Sequence, residues 1–298
     1  LEVVSTDMPR TVETAHAVLT GLMGDKSGAP KSQPAVVIRI EQPSPWVPNT
    51  RCVQLADMMK KARETFRESR SGLAAQTQSA IAQAFGDLYD PTAFGVLNVH
   101  DDCQARRWHG KPPSPCVDVA LCDAASREAT REVMTALGAH GHKSWKLSAG
   151  PMCYQIAAKI RDILAKSASH DAPHKLMLIS AHDTSIFTLL NAINTQYRDN
   201  CTSSVRSGVW PPYTSSVTID VMRDRSIRLL YQFEPLTPDS ATTHWWGGGG
   251  GQGDGREDAN TFLQRLDVLA MDPEQFRVQC PEVYESTGVG GAVFNWGG

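Results

Sequence analysis

The residues best placed to do chemistry are His182 and Asp183, which stand side by side in the chain. They lie between two apolar runs, LMLIS at 176–180 and a second run that begins at Ile186. This pattern predicts a strand that is followed directly by a helix. Both side chains should therefore lie at the carboxyl end of a strand, which is the edge of the sheet where α/β proteins bind ligands.

The predicted helix would direct its free N–H groups and the positive end of its dipole toward the same edge. That arrangement favours an anion such as phosphate. There, His182 could stabilise a phosphoryl oxygen and Asp183 could protonate a leaving alkoxide. A second interpretation assigns no chemistry to the pair: Asp183 caps the helix and His182 is a loop histidine. The stretch by itself leaves both interpretations open.

The elements that must position this pair follow from apolar periodicity. A short strand and a helix are predicted at the start of the chain, where Ser5, Thr6 and Asp7 are candidate helix caps. Further strands are predicted at 35–40, 176–180, 216–222 and 227–233, the last two as an antiparallel hairpin. Further helices are predicted from about Leu55, over about 74–86, over 123–138 and over about 151–166. The run Gly247 to Gly251 is interpreted as a surface loop.

This succession of elements predicts an α/β fold in which a three-layer α/β/α core carries an α-helical insert subdomain. Residues 1–49 and 146–298 are assigned to the core, and residues 50–145 to the insert. The chain has 298 residues and a formal net charge of −3, and this near-neutral balance does not favour nucleic acid as a partner.

The chain starts at Leu1, inside a predicted strand, and ends in Gly-rich sequence without a pattern. We therefore expect a product that is incomplete at its N-terminus, and a signal peptide or membrane anchor outside the printed residues is compatible with it.

Seven cysteines are scattered along the chain without a C-x-x-C pair, which argues against a zinc site. The stretch from His100 to Cys103 is interpreted as a solvated turn rather than a metal site. Asn200 begins a glycosylation sequon, Asn-Cys-Thr. The cysteines and the sequon together favour a secretory or lysosomal compartment, while reduced cysteines in a cytosolic protein stay an open alternative.

Three stretches carry a resemblance to a known family: STDMPRT at 5–11, SAHDTS at 180–185, and WPPYTSSVTIDVMRDRSIRLLYQF at 210–233. They resemble the histidine acid phosphatases, branch 2 of the histidine phosphatase superfamily. The resemblance implies hydrolysis of a phosphate monoester through a phosphohistidine, without a metal or other cofactor. It gives His182 a contact with the phosphate and makes Asp183 the proton donor. The partner it implies is a small phosphorylated substrate, and it is compatible with a homodimer.

The chain also departs from that family. The nucleophile motif Arg-His-Gly-x-Arg-x-Pro is absent, and Val4 stands where the family has a phosphate-binding arginine. Arg10 is interpreted as structural, paired with acidic groups, and His109 in RRWHG is interpreted as a loop residue. We therefore expect the printed chain to lack phosphatase activity. A non-catalytic phospholigand-binding protein or structural remnant is the alternative, and a phytase or inositol polyphosphate phosphatase is the rival substrate assignment.

The resemblance also bears on the cysteines. Cys52 and Cys280 match a family pair that links the start of the helical subdomain to the end of the chain. Cys103 matches another family cysteine, but its usual partner is replaced by Ser216. The second bridge is therefore expected to be lost, or to form with another residue such as Cys116, Cys122 or Cys201.

Overall fold

The computed structural model describes most of the chain. The described residues are 1–23, 37–40, 42–69, 73–86, 95–138, 140–166, 176–194, 210–233, 242–246 and 256–285. Within these stretches, no helix combines the length and the apolar character that crossing a bilayer requires.

Both end regions of the described chain contain strands together with helices, and its middle, from Val53 to Lys166, contains helices alone. The strands are β1 (Glu2–Ser5), β2 (Ile38–Ile40), β3 (Met177–Ser180), β4 (Ser216–Val221), β5 (Ser226–Phe233), β6 (Thr242–Trp246) and β7 (Arg256–Asp258). The helices are α1 (Pro9–Met23), α2 (Val53–Glu68), α3 (Leu73–Phe85), α4 (Val96–Trp108), α5 (Val119–Gly138), α6 (His142–Lys166), α7 (Asp183–Asn194), α8 (Ala259–Leu269), α9 (Pro273–Gln279) and α10 (Glu282–Glu285).

A parallel sheet of three strands carries the predicted site. β1 lies between β2 and β3, and all three strands run in the same direction. Successive side chains of a strand point to opposite faces, so the buried residues Val3 and Val4 belong to different layers. Val3 packs against Ala15 and Leu19 of α1, whereas Val4 joins the main core with residues of α6 and α7. The sheet therefore has helices on both faces, and the predicted α/β fold is confirmed.

The helices α2 to α5 fill the stretch that was predicted to be helical. One apolar cluster holds α3, α4 and α5 together through residues such as Ile81, Val99 and Ala125. α4 corrects the sequence analysis, because His100 to Cys103 lie inside this helix rather than in a solvated turn. Val96, Val99 and Cys103 are buried at helical spacing, but three apolar residues on a largely polar segment gave too weak a pattern.

The helix predicted over about 151–166 begins earlier, at His142, and continues through Pro151. Proline usually ends a helix, and this rule placed the predicted start too late. Gly150 has a packing role, because a Cβ at this position would stand 2.7 Å from the carbonyl oxygen of Leu269. The missing side chain lets α6 approach the end of α8 closely, and Met271 donates its backbone N–H to the Gly150 carbonyl.

An antiparallel sheet formed by β4, β5, β6 and β7 completes the fold. The predicted hairpin of β4 and β5 is confirmed, with Val217 opposite Tyr231. β6 was not predicted, and the glycine run after it lies outside the described residues. Two disulfides lie in the described part of the chain. Cys52, before α2, bonds to Cys280, after α9, across 228 positions, and Cys103 of α4 bonds to Cys122 of α5. Cys122 is one of the three partners left open for Cys103.

Candidate active site

The carboxyl ends of β1 and β3 meet at one edge of the sheet, as parallel neighbours must. The Thr6 backbone N–H donates to the Ser180 carbonyl over 3.1 Å, which extends the ladder by one residue. Thr6 and His182, the residues just past the two strands, therefore lie together, with Thr6 Oγ1 3.0 Å from His182 Nε2. Both residues line a cavity of about 940 Å³. The cavity is the candidate site.

The contacts of His182 select one tautomer of its ring. The guanidinium of Arg10 can only donate, and its Nη2 lies 3.5 Å from His182 Nδ1, which must therefore accept. The proton of the neutral ring is then on Nε2 and is donated to the Thr6 hydroxyl. Thr6 in turn lies 2.9 Å from the Thr11 hydroxyl, which donates to a backbone carbonyl. A short chain of hydrogen bonds thus fixes the orientation of the imidazole.

Arg10 belongs to the cavity, in contrast to the structural role expected for it. Its side chain is exposed and lines the cavity, and it forms no salt bridge with an acidic group of the described chain. Burial and, to a lesser degree, the positive charge of Arg10 lower the pKa of His182, while Asp183 opposes this shift. Among the described residues, Arg10 thus lies at the cavity beside His182 and outside any ion pair with a carboxylate. An anion placed between Arg10 and His182 would be attracted by the first and would favour protonation of the second.

Asp183 is the first residue of α7, and it also lines the cavity. Its Oδ1 accepts from the backbone N–H of Thr184, and its Oδ2 accepts from Nε1 of Trp210, both over 2.7 Å. The Ser185 hydroxyl in turn accepts from the His182 backbone N–H, which ties the first turn of α7 to the residue before it. The carboxylate therefore has two fixed donors and faces the same space as His182.

The opposite wall of the cavity is acidic and comes from α4. Asp101 and Asp102 line it, and Asp102 is bound by Arg106 over 3.0 Å and by the Ser114 hydroxyl over 2.8 Å. Asp101 is accessible from the cavity but enclosed by protein on its other sides. This enclosure, and secondarily the charge of Asp183, raise its pKa to about 6, while Arg10 counteracts the shift. Tyr213, from the Pro-Pro-Tyr stretch, also lines the cavity and meets Trp108 edge to face.

His100 lies behind this wall and is 1% exposed. The Ser126 hydroxyl donates to the Cys122 carbonyl, so it accepts from Nδ1–H of His100 over 2.8 Å. Burial lowers the pKa of His100 to about 4, with Asp183 acting in the opposite direction and Arg107 adding to the shift. The ring is therefore neutral even in a mildly acidic solution.

Several other candidates from the sequence lie away from the cavity. Val4 is fully buried in the core and is not among the residues that line the cavity. His109 ends α4 as its C-terminal cap. Asn200 lies outside the described residues. In the described part of the chain, no group of three or more histidine, cysteine, aspartate or glutamate side chains is arranged to hold a metal ion.

Asp101 and Trp210 were not predicted as site residues, and Arg10 was predicted to be structural. Trp210 directly precedes the Pro-Pro-Tyr phrase that carried part of the resemblance, so its position was a usable signal. Asp101 had no usable signal in the sequence, because the helix that carries it to the cavity was not predicted.

Comparison with known proteins agrees with this geometry. The family model of the histidine phosphatase superfamily (branch 2) matches residues 1–232. Two lysophosphatidic acid phosphatases type 6 are similar to the chain, at 20% identity in Pongo abelii and 19% in Bos taurus, each over 93% of this chain. The chain corresponds to 60% of the length of each of these relatives. With its parallel sheet, its helices on both faces and this match over most of its length, the chain belongs to branch 2 of the histidine phosphatase superfamily.

Proposed function

We propose that this chain carries the phosphate-binding and proton-donating part of an acid phosphatase that acts on phosphate monoesters. The observation that supports it is the placement of Arg10 and His182 side by side at the cavity edge, 3.5 Å apart. Two groups that can both be cationic are adjacent there without an intervening carboxylate, which favours an anion between them. The N-terminus of α7 adds the positive end of its dipole to the same edge.

In this proposal each side chain has one role. Arg10 and His182 contact phosphoryl oxygens and compensate the charge that develops on them during transfer. Asp183 in its protonated form gives its proton to the leaving oxygen as the bond between phosphorus and oxygen breaks, so an alcohol leaves rather than an alkoxide. The reaction also needs a nucleophile that attacks phosphorus. In the family this is the histidine of the Arg-His-Gly-x-Arg-x-Pro motif, and the printed sequence does not contain that motif.

We therefore expect the 298-residue chain to bind phosphate monoesters without forming a phosphoenzyme. The alternative is a protein whose function is binding alone, or a remnant of the fold without a ligand. Val4 favours the alternative, because an apolar side chain buried in the core stands where the family has a phosphate-binding arginine. The two functions differ in turnover, which an assay measures directly.

The substrate class follows from the two walls of the cavity. The similar proteins are named for lysophosphatidic acid, a phosphate monoester with an acyl chain. Apolar residues that share the cavity here, among them Leu97, Ile186 and Val283, are compatible with such a chain. The wall of Asp101 and Asp102 offers additional phosphates carboxyl groups rather than cations, so it argues against the phytase assignment. We propose a monoester with one phosphate and an uncharged or partly apolar remainder.

The two disulfides are typical of an extracytoplasmic protein. Within that class we propose a secreted or lysosomal location, in which the acidic environment suits a leaving-group acid. Glycosylation of Asn200 is part of the same proposal.

The experiment that tests the function combines a binding measurement and an assay. Inorganic phosphate is titrated into the 298-residue chain by calorimetry, with His182→Ala in parallel, and hydrolysis of p-nitrophenyl phosphate is measured at pH 5. Phosphate binding that the substitution weakens, by about tenfold for one charge-assisted hydrogen bond, would support the proposal. Absence of binding in the unmodified chain would contradict it.

Hydrolysis is then assayed in the 298-residue chain and in the full-length product of its gene. Turnover only in the full-length product would support the phosphatase. Binding without turnover in either preparation would favour the non-catalytic alternative. Turnover by the 298-residue chain at the same rate as the full-length product would refute the expected need for a further nucleophile.

A further inference from the structure

We propose that Trp210 is a positioning residue for Asp183, and that His100 of the helical segment holds Trp210 in place. This inference rests on the proposed role of Asp183 as proton donor. It connects the helical segment of the fold to the leaving-group side of the site through one aromatic contact and one hydrogen bond.

The first step is the hydrogen bond from the indole to the carboxylate. Trp210 donates Nε1–H to Asp183 Oδ2 over 2.7 Å, and the Thr184 backbone N–H occupies Oδ1. Two donors in fixed positions prevent rotation of the carboxyl group about its terminal bond. Because indole has a single N–H and cannot accept, Trp210 orients Asp183 and cannot itself take part in proton transfer.

The second step is the position of the indole itself. Trp210 is 8% exposed and stacks on Phe187, with ring centroids 5.0 Å apart and an angle of 26° between the ring planes. Phe187 lies one helical turn after Asp183 on α7, and it is 3% exposed. The same helix therefore presents both the carboxylate and the apolar surface on which the donor rests. The indole cannot tilt away from Asp183 without losing that contact.

The third step reaches α4. The His100 ring meets Trp210 edge to face, with centroids 5.6 Å apart, and the angle between the planes is 70°. His100 is in turn held by the Ser126 hydroxyl of α5. Because burial lowers the pKa of His100 to about 4, the ring is neutral at pH 5 and places no charge beside the indole. A shift of α4 would thus reach Asp183 through His100 and Trp210.

This arrangement has a distinctive kinetic consequence. Loss of a positioned acid slows hydrolysis of esters with a basic leaving group, because the departing alkoxide needs the proton. p-Nitrophenolate leaves readily without protonation, so its ester depends much less on the acid. Phosphate binding depends on Arg10 and His182 and should not change. A general loss of folding would instead lower hydrolysis of both kinds of ester and phosphate binding together.

The kinetic test uses Trp210→Phe, which keeps an aromatic ring and removes the donor. The matched control is Trp145→Phe, since Trp145 is 4% exposed, packs beside Gly138 and does not line the cavity. In whichever preparation turns over p-nitrophenyl phosphate, we expect W210F to lower glycerol phosphate hydrolysis about tenfold more than p-nitrophenyl phosphate hydrolysis. Phosphate affinity should stay within about twofold. Equal losses for both esters, or the same pattern in W145F, would overturn the proposal.

A second measurement does not depend on activity. The indole N–H signals of the ¹⁵N-labelled chain are recorded by NMR, and the Trp210 signal is assigned by its absence in W210F. We expect D183A to move this signal more than that of Trp145, and H100F to move it as well. A Trp210 signal that D183A leaves unchanged would refute the positioning role, and one that H100F leaves unchanged would refute the part assigned to His100. If no preparation hydrolyses either ester, the proposed function fails, and the NMR result still decides the positioning role.

Discussion

The two walls of the cavity differ in charge and in origin. The strand wall, formed by residues just past β1 and β3, presents Thr6, Arg10 and His182, which can contact an anion. The helical wall, formed by α4, presents Asp101 and Asp102. A phosphate monoester placed between them has one orientation in which its charge meets the cations and its organic part meets the carboxyl groups. In the proposed function, the difference between the walls would therefore orient the substrate.

The walls also differ in what holds them. The strand wall follows from the parallel pairing of β1 and β3, which brings the carboxyl ends of the two strands together. The helical wall depends on the packing of α4 against α5, on a disulfide and on a buried neutral histidine. The helical wall should therefore be the one that acid and substitution disturb first.

The largest effect is expected from His100 in acid. Its pKa is lowered from 6.5 to about 4, so the unfolded chain binds a proton that the folded chain does not. The stability that depends on neutral His100 is fully present above pH 6.5 and is lost as the pH falls toward 4. The free energy of unfolding should decrease by about 2 kcal/mol by pH 5 and about 3 kcal/mol by pH 4 from this group. Urea unfolding at pH 7, 5 and 4 measures the decrease.

Carboxylates also titrate between pH 7 and pH 4. The informative quantity is therefore the difference in free energy of unfolding between the unmodified chain and a variant without His100. His100→Asn keeps an N–H donor for Ser126 and cannot be protonated, and it should remove this part of the pH dependence. His16→Asn, on an exposed residue of α1, is the matched control. It should leave the dependence of the free energy of unfolding on pH unchanged. If the free energy of unfolding fell with pH equally in the unmodified chain and in H100N, His100 would not control the acid stability of the helical wall.

The second effect concerns the strand wall. Arg10→Ala removes a donor and a positive charge from the proposed phosphate contact, so phosphate affinity should fall by about thirtyfold, as for loss of a charge-assisted hydrogen bond. Arg10→Lys keeps the charge but not the planar fork, and a smaller loss is expected. Arg161→Ala serves as the control, because Arg161 is paired with Asp267 outside the cavity. Calorimetric titration with phosphate would contradict the assignment if R10A and R161A behaved alike.

The smallest effect is expected from Asp101. With a pKa of about 6, its carboxyl group is mostly neutral at pH 5 and charged at pH 7.5, where it repels a bound phosphate. Asp101→Asn should therefore tighten phosphate binding at pH 7.5 by about threefold and leave it nearly unchanged at pH 5, as expected for one screened charge. Asp102→Asn is the matched control, since Arg106 already neutralises that carboxylate. Equal changes at both pH values would mean that the acidic wall does not act through the charge of Asp101.

The contrast between the walls also explains what could be predicted from the sequence. His182 and Asp183 were placed at a strand end because the order of apolar and polar residues is local, and β3 and α7 confirm that order. The hairpin of β4 and β5 was predicted for the same reason. The link between Cys52 and Cys280 came only from the family resemblance, because no local pattern joins residues 228 positions apart.

The residues that were missed depend on contacts between distant segments. Trp210 acquires its role by reaching Asp183, and Asp101 acquires its role from a helix whose apolar spacing was too sparse to detect. Arg10 was matched to a family arginine interpreted as structural and paired with local acidic groups, whereas here its guanidinium reaches His182, 172 positions away. Charge and residue type are visible in a sequence, but the partner that gives them a function is not.

The bond between Cys52 and Cys280 affects what proteolysis of the backbone does to this protein. Every peptide bond between these two residues lies inside a single covalent ring, which includes the helical wall, β3 and the hairpin. A single cut in any loop of that ring releases no fragment, because the disulfides still connect the pieces. Until the disulfide is reduced, the pieces stay together, and the two walls of the cavity can remain assembled in a nicked molecule.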